Sequence, residues 1–247
     1  RNPLASPDII GISSGSSVAA VFCILVLRIS GTGVSIAAVV SGILVASLIY
    51  VLSKGSGFSG GRLILIGIGM QAMINAIISY LLAKSSQHDV PTALRWLNGS
   101  LNGMVIEDVP FLFVVVVVFG VTILCLTKQL QVLELGDEFA TTLGVRINVV
   151  RIMLILSAVF LIAFSTAVTG PISFVAFLAG PIAARLVGLG SPNVLSAGLV
   201  GALLVLSADL IGQFAFGTRF PVGVITGILG APYMLFLLIV INRRGQA

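Results

Sequence analysis

Apolar runs long enough to cross a lipid bilayer occupy most of this 247-residue chain. A helix needs about 20 mainly apolar residues to span the hydrocarbon core. Runs of that kind occur near 9–27, 33–53, 62–83, 109–127, 150–169, 172–187, 194–214 and 221–241. Lipid cannot satisfy open backbone groups, and the runs do not alternate as barrel strands do. The sequence therefore predicts an all-α, polytopic transmembrane helical bundle with about eight spans, of which 172–187 is the shortest.

Composition excludes the main soluble classes of protein. Hydrophobic residues make up 58% of the chain and charged residues 9%, whereas an ordinary soluble domain has about 25% charged residues. The mean hydropathy is +1.20. A soluble enzyme, a disordered chain and a nucleic-acid-binding domain are excluded on this ground. Cys23 and Cys125 lie in separate apolar runs, so we predict neither a disulfide framework nor a cysteine metal site.

Basic residues set the expected orientation, because positively charged loops are retained in the cytoplasm. With the N-terminus inside, nine Lys or Arg residues fall on the inner side and four on the outer side. The inner residues are Arg1, Lys54, Arg62, Lys128, Arg146, Arg151, Arg185, Arg243 and Arg244, and the outer residues are Arg28, Lys84, Arg95 and Arg219. We therefore predict a multi-pass protein of the cytoplasmic membrane with both termini in the cytoplasm.

The outer loop 84–108 is too long for a simple turn and contains an amphipathic piece around Trp96. Trp96 is interpreted most simply as an anchor at the membrane interface. His88, the single histidine, lies in this polar loop without cysteine or histidine neighbours. No metal site is predicted there or elsewhere in the chain.

The inner segment 128–148 is predicted to form two short helical pieces broken at Gly136 and Gly144. It combines an acidic cluster with an apolar face. The acidic residues are Glu134, Asp137 and Glu138, and the apolar residues are Leu133, Leu135, Phe139 and Leu143. Composition leaves two interpretations open, namely a solvated connector or a docking surface for a cytoplasmic partner.

Two features inside the spans suggest a transport pathway. Gly170-Pro171 and Gly180-Pro181 bracket the short span 172–187, and short or broken helices at membrane depth are tolerated where they line a cavity. Asp209 is an ionisable residue within a span, toward its outer end. Intramembrane charge is costly, so we predict a structural or gating hydrogen bond. Proton coupling is disfavoured, because Asp209 has no ionisable companions in its span.

A glycine-rich turn at 55–60 matches G-x-G-x-x-G but lacks the context of a nucleotide site. A phosphate loop would need Lys and then Ser or Thr at the next two positions, where this chain has Gly61 and Arg62. No catalytic triad or carboxylate pair is evident either. No nucleotide site and no catalytic residue are therefore predicted in this chain.

A series of short motifs runs in order along practically the whole chain. They are Asn2-Pro3-Leu4-Ala5-x-Pro7-Asp8 with Gly11-Ile12-Ser13-Ser14-Gly15, Trp96-Leu97-Asn98-Gly99-Ser100-Leu101, Leu135-Gly136-Asp137-Glu138 with Leu143-Gly144-Val145, Gly170-Pro171-Ile172-Ser173-Phe174-Val175, Ala208-Asp209-Leu210, Pro221-Val222-Gly223-Val224 and Leu229-Gly230-Ala231-Pro232. Together they resemble the FecCD-like permeases of type II ABC importers, which take up iron–siderophores, haem and cobalamin.

The resemblance implies a transport subunit, not an enzyme. Such permeases have ten helices and work in pairs, so two spans are expected before Arg1, and 1–247 is interpreted as an N-terminally truncated permease domain. The implied partners are two cytoplasmic ATPase subunits, an extracytoplasmic substrate-binding protein and a second permease subunit, identical or different. No cofactor is implied, because ATP acts on the partner subunits. A ferric siderophore is the leading cargo, cobalamin or haem the alternative, and an ion-coupled secondary transporter the rival from another class.

The resemblance also implies site residues. By position, 133–145 corresponds to the coupling helices that contact the ATPase. Its residues are Leu133, Leu135, Gly136, Asp137, Glu138, Phe139, Leu143 and Gly144, and the implied pathway or gating residues are Gly170, Pro171, Phe174, Gly180, Pro181 and Asp209. The chain departs from some relatives at Gln213, where they have Arg. Arg219 is therefore predicted to dock the binding protein, with an anchor to lipid phosphates as the alternative.

Overall fold

The computed structural model describes residues 11–53, 60–188 and 193–244, with side chains of the last helix described as far as Leu235. Several expectations lie outside the described residues. They concern Arg1, the motif at 2–8, Lys54, the glycine-rich turn at 55–59 and the side chains of Arg243 and Arg244.

Every secondary-structure element in the described ranges is helical, which confirms the all-α prediction. The α-helices in chain order are α1 (Ile12–Phe22), α2 (Thr32–Ser53), α3 (Gly60–Lys84), α4 (Val90–Leu97), α5 (Asp108–Cys125), α6 (Thr127–Glu134), α7 (Asp137–Thr142), α8 (Ile147–Thr169), α9 (Val175–Val187), α10 (Val194–Phe214) and α11 (Val222–Arg244). A π-helical turn, Cys23–Leu27, continues α1.

The eight predicted spans each coincide with a helix, but these helices differ in length. Four described helices are long and apolar enough to cross a membrane: Thr32–Ser53, Gly61–Lys84, Ile147–Thr169 and Val194–Phe214. A fifth candidate is the pair Val109–Cys125 and Thr127–Glu134, which is bent by 47°. Three shorter apolar helices are Ile12–Leu27, Val175–Val187 and Val222–Leu235. Length and composition thus support four or five spans directly, and eight spans remains a prediction.

The described part of the chain forms two compact units, and the first contains residues 11–53, 60–97 and 104–170. Within it α1, α2 and α3 pack pairwise, and α8 packs on α1, α2 and α5. Serine hydroxyls join α1 to α2, because Ser16 Oγ donates to the Ala38 carbonyl at 2.9 Å and Ser41 Oγ to the Gly15 carbonyl at 2.8 Å. Such hydroxyls and small residues let apolar helices approach closely without a hydrophobic driving force between them.

The amphipathic piece of the outer loop is helix α4, and it packs onto the first unit. Trp96 contacts a buried cluster formed by Ala20, Cys23 and Val34. The indole therefore contributes to helix packing, a role that its interpretation as an interfacial anchor did not include.

The second unit contains the described residues 98–103, 171–188 and 193–244, and in it α9, α10 and α11 pack pairwise. The short segment 98–103 follows α4 in the sequence but packs with these helices. Its Leu101 contacts a buried cluster of Ala208, Val222 and Ile225. The backbone N–H of Gly223 also donates to the Gly99 carbonyl at 3.2 Å, which ties the segment to the start of α11.

Candidate functional site

The predicted docking segment folds as two helices, α6 and α7, with one glycine between them and a second glycine after α7. Gly136 precedes α7 with φ +115°, and Gly144 follows it with φ +79°. These values lie in the region that L side chains rarely adopt, so glycine is the favoured residue at both breaks. The predicted breaks at Gly136 and Gly144 are confirmed.

Both ends of α7 are stabilised locally. At its C-terminus the N–H of Gly144 donates to the Thr141 carbonyl and the N–H of Val145 to the Ala140 carbonyl, each at 3.0 Å. This is the Schellman arrangement, which satisfies carbonyls that a helix end leaves open. At the N-terminus Asp137 and Glu138 lie in the first turn, where negative charge interacts favourably with the helix dipole.

Large apolar side chains on α7 and its flanking residues point outward. Leu135 and Phe139 are each 65% exposed and Leu143 is 64% exposed, whereas Ala140 is fully buried. Leu133 is half-buried. An exposed apolar patch rimmed by charge is typical of a protein interaction site. We name Leu135, Phe139 and Leu143 the α7 patch.

One contact of this segment was missed by sequence reasoning. Arg151, in the second turn of α8, donates from Nη2 to both carboxylate oxygens of Asp137, at 3.1 and 3.2 Å. The sequence counted Arg151 only as part of the inner positive charge. The two residues are fourteen positions apart in the sequence and belong to different helices. No periodic pattern in the sequence could therefore have indicated that they pair.

The entry to α9 has an unusual backbone conformation at Phe174. This residue has φ +66°, one of two non-glycine residues with positive φ in the described ranges. Its side chain lies against α11, where a Cβ added to Gly230 would come within 2.5 Å of the Phe174 Cβ. A bulky residue in this conformation is strained, and Gly230 leaves the room that it needs.

The prediction that Gly180-Pro181 brackets the short span is wrong. Pro181 lies inside α9, which continues to Val187 and ends at Gly188 with φ +92°. Proline lacks the N–H that would donate to the carbonyl of Phe177, so it removes one hydrogen bond without ending this helix. Gly170-Pro171 does stand at a boundary, between α8 and α9.

Asp209 makes a hydrogen bond within its own helix. Gln213 Nε2 donates to Asp209 Oδ2 at 2.7 Å, one turn further along α10, and both side chains are half-buried. The bond satisfies the acid at a depth where an unpaired charge would be costly. A structural hydrogen bond is therefore present, and the gating role stays a prediction.

Arg219 lies in the turn between α10 and α11 and is exposed. Its Nη1 donates to Asn102 Oδ1 at 3.3 Å, so the arginine and the segment 98–103 lie on the same surface of the second unit. The Phe216 and Phe220 rings pack edge to face beside it with centroids 5.1 Å apart. These contacts position the arginine but do not test whether it docks a binding protein.

The structure places the predicted sites in separate groups. The coupling residues all belong to the first unit, and the pathway residues from Pro171 onward belong to the second. No group of three or more His, Cys, Asp or Glu residues within the described ranges could hold a metal ion.

Known proteins resemble this chain in sequence along nearly its whole length. The model of the FecCD transport family matches residues 1–240. The ferric enterobactin transport system permease protein of Escherichia coli is 37% identical over 245 residues, which cover 99% of this chain and 74% of that protein. The Fe(3+)-citrate import system permease protein YfmE of Bacillus subtilis is 37% identical over 241 residues, which cover 96% of this chain and 72% of that protein. The cobalamin import system permease protein of Halobacterium salinarum is 34% identical over 241 residues, which cover 96% of this chain and 64% of that protein.

The fold is similar to that of a solved structure. A chain from an inward-facing structure assigned to the metal-chelate type of ABC transporter has a TM-score of 0.87 and 29% sequence identity, covering 97% of this chain and 78% of that one. The family match, the relatives and the shared helical architecture agree, and the chain belongs to the FecCD transport family.

Proposed function

We propose that this chain is the membrane-spanning permease subunit of an ATP-driven importer that moves a ferric siderophore across the cytoplasmic membrane. The observation that carries the proposal is similarity to permeases of iron uptake over 96–99% of this chain. Two relatives at 37% identity are named for ferric enterobactin and for Fe(3+)-citrate. The fold similarity to a metal-chelate type of ABC transporter supports the same class of cargo.

Energy enters this mechanism from other chains. ATP is hydrolysed on two cytoplasmic ATPase subunits, and the permease acts as the transport subunit. The α7 patch is the proposed contact, because burying Leu135, Phe139 and Leu143 in a groove would remove from water a surface that is now exposed. Closure of the ATPases would then displace α7 and shift the helix bundle between outward-open and inward-open states.

The remaining partners follow from the same proposal. An extracytoplasmic binding protein delivers the cargo to the outer surface, where Arg219 is the proposed contact. A second permease subunit, identical or different, completes the pathway. The protein is multi-pass in the cell membrane, and both termini are cytoplasmic, in agreement with the charge asymmetry of the loops.

Cobalamin is the second candidate cargo, because the halobacterial relative at 34% identity is named for cobalamin import. The identity of the cargo would be decided by binding measurements on the cognate binding protein. High affinity for a ferric siderophore and none for cobalamin would support the proposal. The reverse preference would replace it with the second candidate.

The rival class is a secondary transporter driven by an ion gradient. Such a protein needs ionisable groups that bind and release the coupling ion within the membrane. Asp209 is the single ionisable residue of its span, and its carboxylate accepts a hydrogen bond from Gln213 at 2.7 Å, so this span offers no relay of ionisable groups.

Co-purification discriminates the importer from its rival. The permease, extracted in mild detergent from cells that express the neighbouring genes, should carry an ATPase subunit in stoichiometric amount. Recovery of a permease without an ATPase that still transports cargo when an ion gradient is applied would favour the secondary transporter.

A further inference from the structure

Helix α7 is too short to hold its own orientation. An isolated helix needs about 12 to 15 residues to be even marginally stable in water, and α7 has six. Its orientation must therefore come from contacts with the rest of the first unit. Ala140 provides one contact, because it is fully buried beneath the helix.

The buried Ala140 sets which side of α7 faces the unit, but a single point of contact leaves the helix free to rotate about that point. The contact between Asp137 and Arg151 supplies a second point, at the N-terminal end of α7. Asp137 lies three residues before Ala140, almost one turn away, so the two contacts together define how the helix is turned. That rotation decides whether the α7 patch points away from the unit.

Arg151 is also well placed to receive a displacement. It belongs to α8, whose 23 residues extend about 34 Å at 1.5 Å per residue. Further along α8, the Phe160 ring stacks on Phe119 of α5 with centroids 5.0 Å apart. Near the far end, Ser35 Oγ of α2 donates to the Ala167 carbonyl at 2.8 Å. A displacement of the start of α8 therefore acts on a helix that also contacts α5 and α2.

We propose that Arg151 is a positioning residue for coupling: by holding Asp137, it fixes the rotation of α7 about Ala140 and presents the α7 patch to the ATPase. This inference rests on the docking role proposed above. Because the ion pair is exposed, with side chains 26% and 61% accessible, its contribution is modest. An exposed ion pair of this kind shifts the equilibrium between the held and released orientations of α7 by about threefold.

The first test measures α7 directly in the purified permease. Arg151→Ala should raise the rate of amide hydrogen exchange in residues 137–142 by about threefold, which is the factor expected from the loss of an exposed ion pair. Arg151→Lys, which keeps the charge, should restore much of the protection. Arg146→Ala is the matched control, because Arg146 is exposed, lies just before α8 and has no ion pair with any residue that the structure describes.

A double variant tests whether Arg151 acts through Asp137. Two residues that share one contact give non-additive effects. Exchange in Asp137→Asn/Arg151→Ala should therefore rise less than the product of the two single effects. Fully multiplicative effects would overturn the inference.

The second test measures coupling in the assembled importer. Arg151→Ala should keep the ATPase subunit bound but lower transport per ATP hydrolysed by about the same threefold factor, while Arg146→Ala leaves the ratio unchanged. An unchanged ratio in Arg151→Ala would overturn the inference. Failure of the wild-type permease to bind any ATPase would instead refute the docking proposal, and the exchange measurement would still decide whether Arg151 holds α7.

Discussion

Gly223 shows how closely single residues pack in the second unit. A Cβ added to Gly223 would overlap the carbonyl oxygen of Asn98, which is backbone and cannot turn aside. Gly99 is equally constrained, since its φ is +66° and an added Cβ would lie 2.6 Å from the Pro171 carbonyl oxygen. Both glycines belong to motifs by which the sequence resembles its family, and the structure gives a steric reason for them.

Gly223→Ala should therefore destabilise the permease. Overpacking of this kind costs about 1 to 3 kcal/mol, which thermal unfolding in detergent would register as a lower Tm. Gly227→Ala is the matched control, one turn further along α11, where an added Cβ meets nothing within 4 Å. Equal Tm values for the two variants would show that the contact between Gly223 and Asn98 is not as close as described.

Arg219, exposed in the turn between α10 and α11, is the proposed contact for the binding protein. Charge pairs at interfaces mainly set the rate and orientation of encounter. Arg219→Glu should slow association of the binding protein about tenfold at low salt, with a smaller effect at high salt. Surface plasmon resonance at two salt concentrations would measure this.

A compensating change gives the decisive control for Arg219. If an acidic residue of the binding protein pairs with Arg219, its replacement by Arg should restore association with Arg219→Glu. If no such exchange restores association, Arg219 is an anchor to lipid phosphates.

At the scale of single elements, α7 carries the functional proposal. Replacing Leu135 and Phe139 together by Asp should abolish uptake while membrane insertion is unchanged. Desolvating two new charges at a packed interface costs several kcal/mol, enough to lose a complex of about micromolar affinity. Co-purification of the ATPase with the double variant measures the loss.

Thr141→Asp is the control for that experiment, because it adds a negative charge to the same helix outside the α7 patch. Thr141 is exposed, and its hydroxyl donates to the carbonyl of Asp137 in its own helix at 2.7 Å. Undiminished ATPase binding by the Leu135/Phe139 double variant would refute the docking role of α7.

Some elements could be predicted from sequence because one residue determines them locally. Gly136 and Gly144 end helices through their own backbone conformations, so the two pieces of the inner segment were predictable. The prediction that Pro181 lies at an end of the short span was wrong. Proline removes one hydrogen bond, but the surrounding packing keeps α9 helical. The pair between Asp137 and Arg151 was not predictable, since it depends on how α7 lies against α8.

For the whole molecule, apolar run length predicted where the helices lie but not how they group. The segment 98–103 follows α4 in sequence yet joins the second unit through Leu101 and Gly99. No local pattern indicates such a non-local contact. Length was also an incomplete guide: α9 has 13 residues and measures about 20 Å, which is less than the hydrocarbon core.

Orientation is the next prediction at this scale. After replacement of Cys23 and Cys125, a cysteine at the exposed Glu138 should react with a membrane-impermeant maleimide only from the cytoplasmic side. A cysteine at the exposed Gln87, in the outer loop, should react only from outside. Reversed accessibility would overturn the inside assignment of α7 and with it the proposed contact with the ATPase.

The central claim is that this permease works as part of an ATP-driven importer. The most direct test is cargo uptake into proteoliposomes that contain the permease and its ATPase, with the binding protein and ferric siderophore outside. We expect uptake that requires ATP inside the vesicle and persists when ionophores collapse every ion gradient. Uptake that proceeds without ATP and stops when an ion gradient is collapsed would contradict the account.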